Sequence, residues 1–280
     1  MGITQTTPGA RTPEQIREHY EIEKELASTL RSAGKEERRT MYSSLYDEMF
    51  RRVPTHPQLT RKASSRDTQL EVRRQMRFLK RFLKPDTMFI ELGPGDCAMS
   101  FAVAEQVAGV CAIDVSDEIS KADSTPGNFR LVLSDGCSIP VEPGSVDVAY
   151  SNQLMEHLHP DDAFEQLKGV FDALAPGGRY VCITPNRLTG PHDVSMYFDT
   201  VATGFHLREY SVSELIDLFR SVGFSAVRTY VGARGVCMRF PVSVLRASER
   251  FLDGPPARRS LAHSMPARVL LNGVRVVATK

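Results

Sequence analysis

The residues best suited to chemistry lie near the middle of the chain. Glu91-Leu92-Gly93-Pro94-Gly95-Asp96-Cys97-Ala98 sets an acid two places ahead of two closely spaced glycines. Glycines let backbone N–H groups come close to a ligand, and a turn of this kind can open the next helix with its N–H groups facing that ligand. Roughly twenty residues on, Asp114 offers a carboxylate able to accept both hydroxyls of a ribose. Ser134-Asp135-Gly136 supplies a further acid, suited to an exocyclic amino group. Of the seven histidines, His157, His159, His192 and His206 fall later, where they could take a proton from an acceptor.

Such groups act together only if the elements carrying them end at one edge. From residue 87 short apolar runs alternate with helical stretches. Strands are predicted at 87–92, 110–114, 130–133, 146–151, 179–184, 224–231 and 273–279. Helices are predicted from the glycine turn to about 108, at 161–174, and at 212–222 behind a Ser211/Glu214 capping box. This alternation implies right-handed crossovers and a parallel sheet covered on both faces, an α/β doubly wound, Rossmann-like fold. Ligands bind such sheets beyond the carboxyl ends of the strands.

The first 84 residues read as a helical N-terminal extension, or cap. Thr12-Pro13-Glu14-Gln15 is a capping box with proline at the first helical position. A second helix spans 35–52, with Tyr42, Tyr46 and Phe50 four apart, a column read as core in preference to a substrate platform. A third spans 66–84, with Val72, Met76, Leu79 and Leu83 on one face. Residues 51–84 carry eleven Lys or Arg against two acids. The stripe reads as a solvated face, with RNA contact as the alternative.

The 280 residues suffice for a sizeable core, and 41% hydrophobic with 25% charged content is that of an ordinary globular protein. A net charge of +1 gives no global reason to expect nucleic acid as partner. No apolar run approaches a membrane span. Five widely spaced cysteines, none in C-x-x-C, read as reduced thiols of a cytoplasmic protein. Met1-Gly2-Ile3-Thr4-Gln5-Thr6 fits a bare myristoylation pattern but lacks a following basic cluster, so chance accounts for it.

Gly93-x-Gly95-x-x-Ala98 alone also satisfies a dinucleotide fingerprint. The ordered set E-L-G-P-G-D, A-I-D-V-S, S-D-G, S-N-Q-L-M-E-H-L, L-A-P-G-G and I-T-P-N instead resembles the class I S-adenosylmethionine-dependent methyltransferases, over about residues 87–231 and the last strand. The resemblance implies a seven-stranded sheet in the order 3-2-1-4-5-7-6 with its last strand antiparallel, and S-adenosylmethionine as methyl donor. It also implies roles: Glu91, Gly93 and Gly95 under the methionine moiety, Asp114 on the ribose, Asp135 and Gly136 at the adenine. Ser151 and Asn152 would flank the sulfonium. Cys97 stands where the family commonly has a third glycine.

The expected organisation is a cap at 1–84 and a methyltransferase domain at 85–280, with 185–210 as acceptor loop or lid. The expected reaction is methyl transfer to a small polar acceptor, a hydroxyl oxygen by preference, with His192 and Asp193 as first candidates for base and His206 as second. Gln153-Leu154-Met155-Glu156-His157 is similar to the E-x-x-E-H segment of ubiquinone-biosynthesis O-methyltransferases, which gathers a divalent cation. Gln153 replaces the first acid, so no metal is expected, with Glu156 and His157 as the residual candidates. The alternatives are an RNA methyltransferase using 51–84, a cofactor-binding regulatory protein without catalysis, and a dinucleotide oxidoreductase.

Overall fold

In the computed structural model the described residues are 11–60, 66–116, 125–233, 236–254, 260–264, 270–271 and 273–280. The myristoylation-like segment, Arg61, Lys62 and Asn272 lie outside them.

Helices α1 (Pro13–Ser32), α2 (Lys35–Arg52), α3 (Pro57–Thr60) and α4 (Arg66–Leu79) precede the sheet. Strand β1 (Met88–Leu92) leads through the glycine turn into α5 (Ala98–Ala104), then come β2 (Gly109–Asp114), β3 (Phe129–Leu133) and β4 (Val146–Asn152). After α6 (Pro160–Ala173) and β5 (Leu174–Thr184), α7 (Val212–Val222) leads to β6 (Ala226–Ala233), β7 (Val236–Phe240), α8 (Val242–Leu252) and β8 (Val274–Thr279).

The sheet has eight strands in the order β3-β2-β1-β4-β5-β8-β6-β7. Strands β3, β2, β1, β4 and β5 pair in parallel, and β8 runs antiparallel between β5 and β6. This is the expected seven-stranded order plus one strand. The addition, β7, forms a hairpin with β6, and only Cys237 of its residues is buried. So short and half-exposed a run carries a weak apolar signal, and neither it nor α8 is predicted from the sequence. Strands β1 and β2 are almost continuously buried, as central parallel strands must be with helices on both faces. In register, Leu92 stands beside Ile113 of β2 and Ser151 of β4, so the segments after these strands share one edge.

Capping settles the helix boundaries. The Thr12/Gln15 and Ser211/Glu214 capping boxes both form, and Gly223 at φ +118° stops α7. Helix α4 ends five residues before its expected limit, where Phe82 N–H turns back to the carbonyl of Leu79 at 2.9 Å. Helix α5 stops at Ala104, four residues short, and β5 starts earlier than expected, at Leu174, with a shift of register between Val146 and Val148 of its neighbour.

Two apolar layers flank the sheet. One packs Leu167, Val170, Leu215 and Phe219 of α6 and α7 against the strands, joined by Leu30 and Tyr42 from the first two helices. The other packs Phe78 and Leu79 of α4 with Met99 and Val103 of α5 against Phe89, Val110, Val148 and Val181. The N-terminal segment is therefore divided in space: α4 belongs to a sheet layer, while α1 and α2 stand over the strand ends. A third cluster joins Ile22, Leu26 and Met49 of α1 and α2 to Phe205 of the 185–210 loop. Burying one phenylalanine contributes about 1.5–3 kcal/mol, enough to anchor a loop.

Candidate active site

The turn after β1 has Gly93 at φ +64° and Gly95 at φ +54°, left-handed conformations that favour glycine. A side chain on Gly93 would meet Leu154 Cδ1 at 3.0 Å. Cys97, in the place of the third glycine, adopts φ +58° and is buried, so a non-glycine residue here carries left-handed strain. Asp114 stands at the tip of β2. Its Oδ1 accepts Val115 N–H at 2.7 Å and its Oδ2 accepts Gly95 N–H only at 3.4 Å, which leaves Oδ2 the freer oxygen. Burial raises its carboxyl, and the Val115, Ser116 and Gly95 N–H groups oppose that rise.

A cleft of about 150 Å³ opens beyond the ends of β1, β2 and β4. Gly93, Gly95, Asp114, Ser134 and Gly136 line its floor, and Gln153, Leu154, His157 and Leu158 close one end. Its roof is the column Tyr42, Tyr46 and Phe50 of α2, read from sequence as core and found also to line the cleft. The spacing was visible in the sequence. The two hydroxyls in an otherwise apolar column were the signal that it meets a polar space.

A buried network seats that roof. Arg38 Nε and Nη2 donate to Asp162 Oδ2 and Oδ1 at 2.6 and 2.7 Å. Tyr42 OH donates to Asp162 Oδ2 at 2.7 Å and accepts His159 N–H at 3.0 Å. Asp162 and Arg38 are almost fully buried. Burial alone would raise the Asp162 carboxyl, but the Arg38 and Tyr42 hydrogen bonds hold it below its usual range. The Tyr42 ring then lies against Gly136, at φ +84°, where an added Cβ would come within 3.0 Å of it.

The other expected site residues are placed in three ways. Glu91 is buried beneath the glycine turn and accepts Ser100 Oγ–H at 2.5 Å, and burial pushes its carboxyl up to about 8. Asp135 accepts Cys137 N–H, Ser138 N–H and Ser138 Oγ–H at 2.9, 2.7 and 2.9 Å, and Arg39 lies 3.5 Å away. Ser151 shares a hydrogen bond of 2.7 Å with Tyr180 OH inside the core, and Asn152 closes β4. None of Glu91, Asp135, Ser151 and Asn152 is among the residues lining the cleft.

At the acceptor end the histidines separate. His192 is exposed, its Nε2 3.1 Å from both Thr189 Oγ1 and the Asn186 carbonyl, away from the cleft wall. Asp193 is a loop organiser: it caps a short 3₁₀ turn through Ser195 and accepts Gly204 N–H at 3.0 Å. His206 is buried against Glu209, Nδ1 to Oε1 2.7 Å, with its ring 4.9 Å from that of His157. Burial disfavours a charged His206, yet Glu209, Glu156 and Asp193 hold its pKa above the usual value.

His157 reaches the cleft. Its Nδ1 lies 3.1 Å from the Phe205 carbonyl, which can only accept, so Nδ1 carries the hydrogen and Nε2 is left as the basic atom. Burial, and then the His206 charge, push it down to about 3, so it is neutral. Glu156 is fully buried and accepts Thr184 Oγ1–H at 2.8 Å, and burial raises it to about 7. Donor atoms of Glu156, His157 and His206 lie within 4.8 Å of one another.

The 185–210 loop is held by α1. Arg31 donates to the carbonyls of Thr203, Gly204 and His206 at 2.9, 2.8 and 3.1 Å, and Glu23 accepts Phe205 N–H at 2.7 Å. The Phe205 ring stacks on Tyr46 at 4.8 Å. The loop thus meets both the roof and the His157 end of the cleft.

The chain is similar to known methyltransferases. Residues 90–182 match the family described as methyltransferase domain. A probable S-adenosylmethionine-dependent methyltransferase of Mycolicibacterium smegmatis is 31% identical over 142 residues, covering 50% of this chain and 52% of that protein. The demethylmenaquinone methyltransferase of Lactococcus lactis is 28% identical over 162 residues, covering 48% of this chain and 64% of its own. The chain thus spans between half and two thirds of these relatives. The crystal structure of an S-adenosylmethionine-dependent methyltransferase from Archaeoglobus fulgidus superposes with a TM-score of 0.53 at 17% identity, over 85% of this chain and all of that one, a likeness of fold.

Proposed function

On the premise that residues 90–182 form a methyltransferase domain of the class I S-adenosylmethionine-dependent kind, we propose that this chain methylates a small polar acceptor, most readily at a hydroxyl oxygen. The observation that carries the reading is a single cleft bounded at one side by Asp114 and the Gly93/Gly95 turn and at its end by a neutral histidine.

The donor supplies a methyl already activated on a sulfonium. Asp114 Oδ2 holds the ribose, and the glycine turn lets the chain pass close beneath the amino-acid end. His157 Nε2 accepts a hydrogen bond from the acceptor's O–H and aims the oxygen at the methyl carbon, and the proton leaves to solvent as the new C–O bond forms and the C–S bond breaks. Positioning alone can supply about 7–11 kcal/mol. In this reading His157 orients the acceptor, in place of the base expected at His192 and Asp193, with His206 and Glu209 setting its surroundings. The 185–210 loop, carried on α1 and α2, closes the acceptor end as a lid.

The test is turnover with methyl-labelled S-adenosylmethionine on a panel of phenolic, aliphatic hydroxyl, amine and quinone acceptors. Label in an ether product together with S-adenosylhomocysteine supports the reading. Label confined to amines or ring carbons would overturn the hydroxyl preference while leaving the donor. A rise in melting temperature with NAD and none with S-adenosylhomocysteine would overturn the donor too.

A further inference from the structure

Gln166 lies on α6 and is buried, yet it lines the cleft beside Gly136, Ser138, Ile139 and Leu158. Its Nε2 donates to the Gly136 carbonyl at 2.6 Å. Its Oε1 is buried without a hydrogen-bond partner among the described residues. The orientation of this amide is decided by chemistry. A backbone carbonyl only accepts, so the reverse orientation would press two acceptors together at 2.6 Å. The atom turned away from Gly136 is therefore an acceptor, and a buried acceptor without a partner is rare.

The acid expected at this end is already engaged. Asp135 takes three hydrogen bonds from Cys137 and Ser138, faces Arg39, and does not line the cleft. Beside Gln166, Ile139 and Leu158 supply apolar walls, and the Tyr42 ring lies over Gly136.

We infer that Gln166 is the residue that recognises the adenine of the methyl donor, its Oε1 accepting a hydrogen from the 6-amino group. The inference rests on the donor reading above and adds to it the residue that tells adenine from other purines. An amide can pair with adenine through both its oxygen and its nitrogen, and here the second hydrogen of Nε2 remains for a ring nitrogen. A 6-oxo purine would turn a carbonyl oxygen against Oε1, and a 6-dimethylamino purine would offer no hydrogen.

The experiment is calorimetry on the full chain with S-adenosylhomocysteine, S-inosylhomocysteine and the N6,N6-dimethyl derivative. The wild type should prefer the adenosyl compound by about tenfold or more over each, the scale of one buried hydrogen bond. Gln166→Met, close in size, should weaken adenosyl binding by a similar factor and bring the adenosyl and inosyl affinities within about threefold. Equal wild-type affinity for the adenosyl and inosyl compounds would overturn the inference without using a variant. Retention of the full preference by Gln166→Met would overturn it as well. Failure of the wild type to bind any of the three would sink the donor reading together with it, an outcome distinct from loss of discrimination alone.

Discussion

At the scale of single residues burial displaces three ionisable groups, Asp114 and His157 lining the cleft and Glu91 beneath the glycine turn. Asp114 is the plainest. A hydrogen bond to a charged group contributes about 1.5–3 kcal/mol, so Asp114→Ala should weaken S-adenosylmethionine binding by tens-fold, and unchanged affinity in calorimetry would remove its ribose role. Glu91 governs pH. Its ordinary value is 4.5, and burial raises it to about 8 in the folded protein. The folded chain therefore keeps a proton that the unfolded chain loses. This stabilising contribution is complete below about 4.5 and is lost as pH rises through about 8. Melting temperatures of the ligand-free protein should decline across that window, and Glu91→Gln should flatten the decline; parallel curves would refute the assignment. For the acceptor, His157→Ala should lower kcat by ten- to a hundredfold with little change in donor affinity. Single-turnover rates that fall instead in His192→Ala would place a base in the 185–210 loop.

At the scale of elements, α2 is the part whose removal would be felt most. It brings the roof, and the Arg38–Asp162–Tyr42 network ties it to α6. Breaking a buried ion pair from one side costs about 3–5 kcal/mol, so Arg38→Met should lower the unfolding free energy from urea titration by that amount and weaken donor binding as the roof loosens. An unfolding free energy within about 1 kcal/mol of wild type would mean that the pair is solvated. These elements differ in how legible they were. The buried strands β1, β2 and β4, the capping boxes and the glycine turn announce themselves, because local chemistry decides them. Gly93, Gly95, Asp114 and Gly136, singled out by that chemistry, line the cleft. Asp135 and Ser151, also expected at the ligand, make hydrogen bonds to their own surroundings and do not line it. Gln166, Arg38 and the roof were not assigned to the site, because their roles arise from α2 and α6 meeting across a long stretch of chain. No spacing rule contains that meeting. Strand β7 is likewise defined by its partner more than by its own pattern.

At the scale of the molecule, charge and layers bear on the RNA alternative. The basic residues of α4 lie on its exposed face as expected, Arg52 pairs with Glu25, and Arg81 donates to the Cys237 carbonyl. Single-stranded RNA should therefore show weak binding with a shallow dependence on salt, and a steep slope in a filter-binding titration would revive the RNA reading. No described helix is long and apolar enough to cross a membrane, and all five cysteines are free and buried. One feature reaches further than its size suggests. Arg31 and Glu23 grip the 185–210 loop from α1, so on the proposed reading the acceptor surface is shaped by residues 11–60 as much as by the matched domain. Acceptor choice would then rest with elements outside the part that holds the donor. Swapping the first two helices between relatives, with the sheet untouched, is the exchange through which this scaffold would acquire a new substrate.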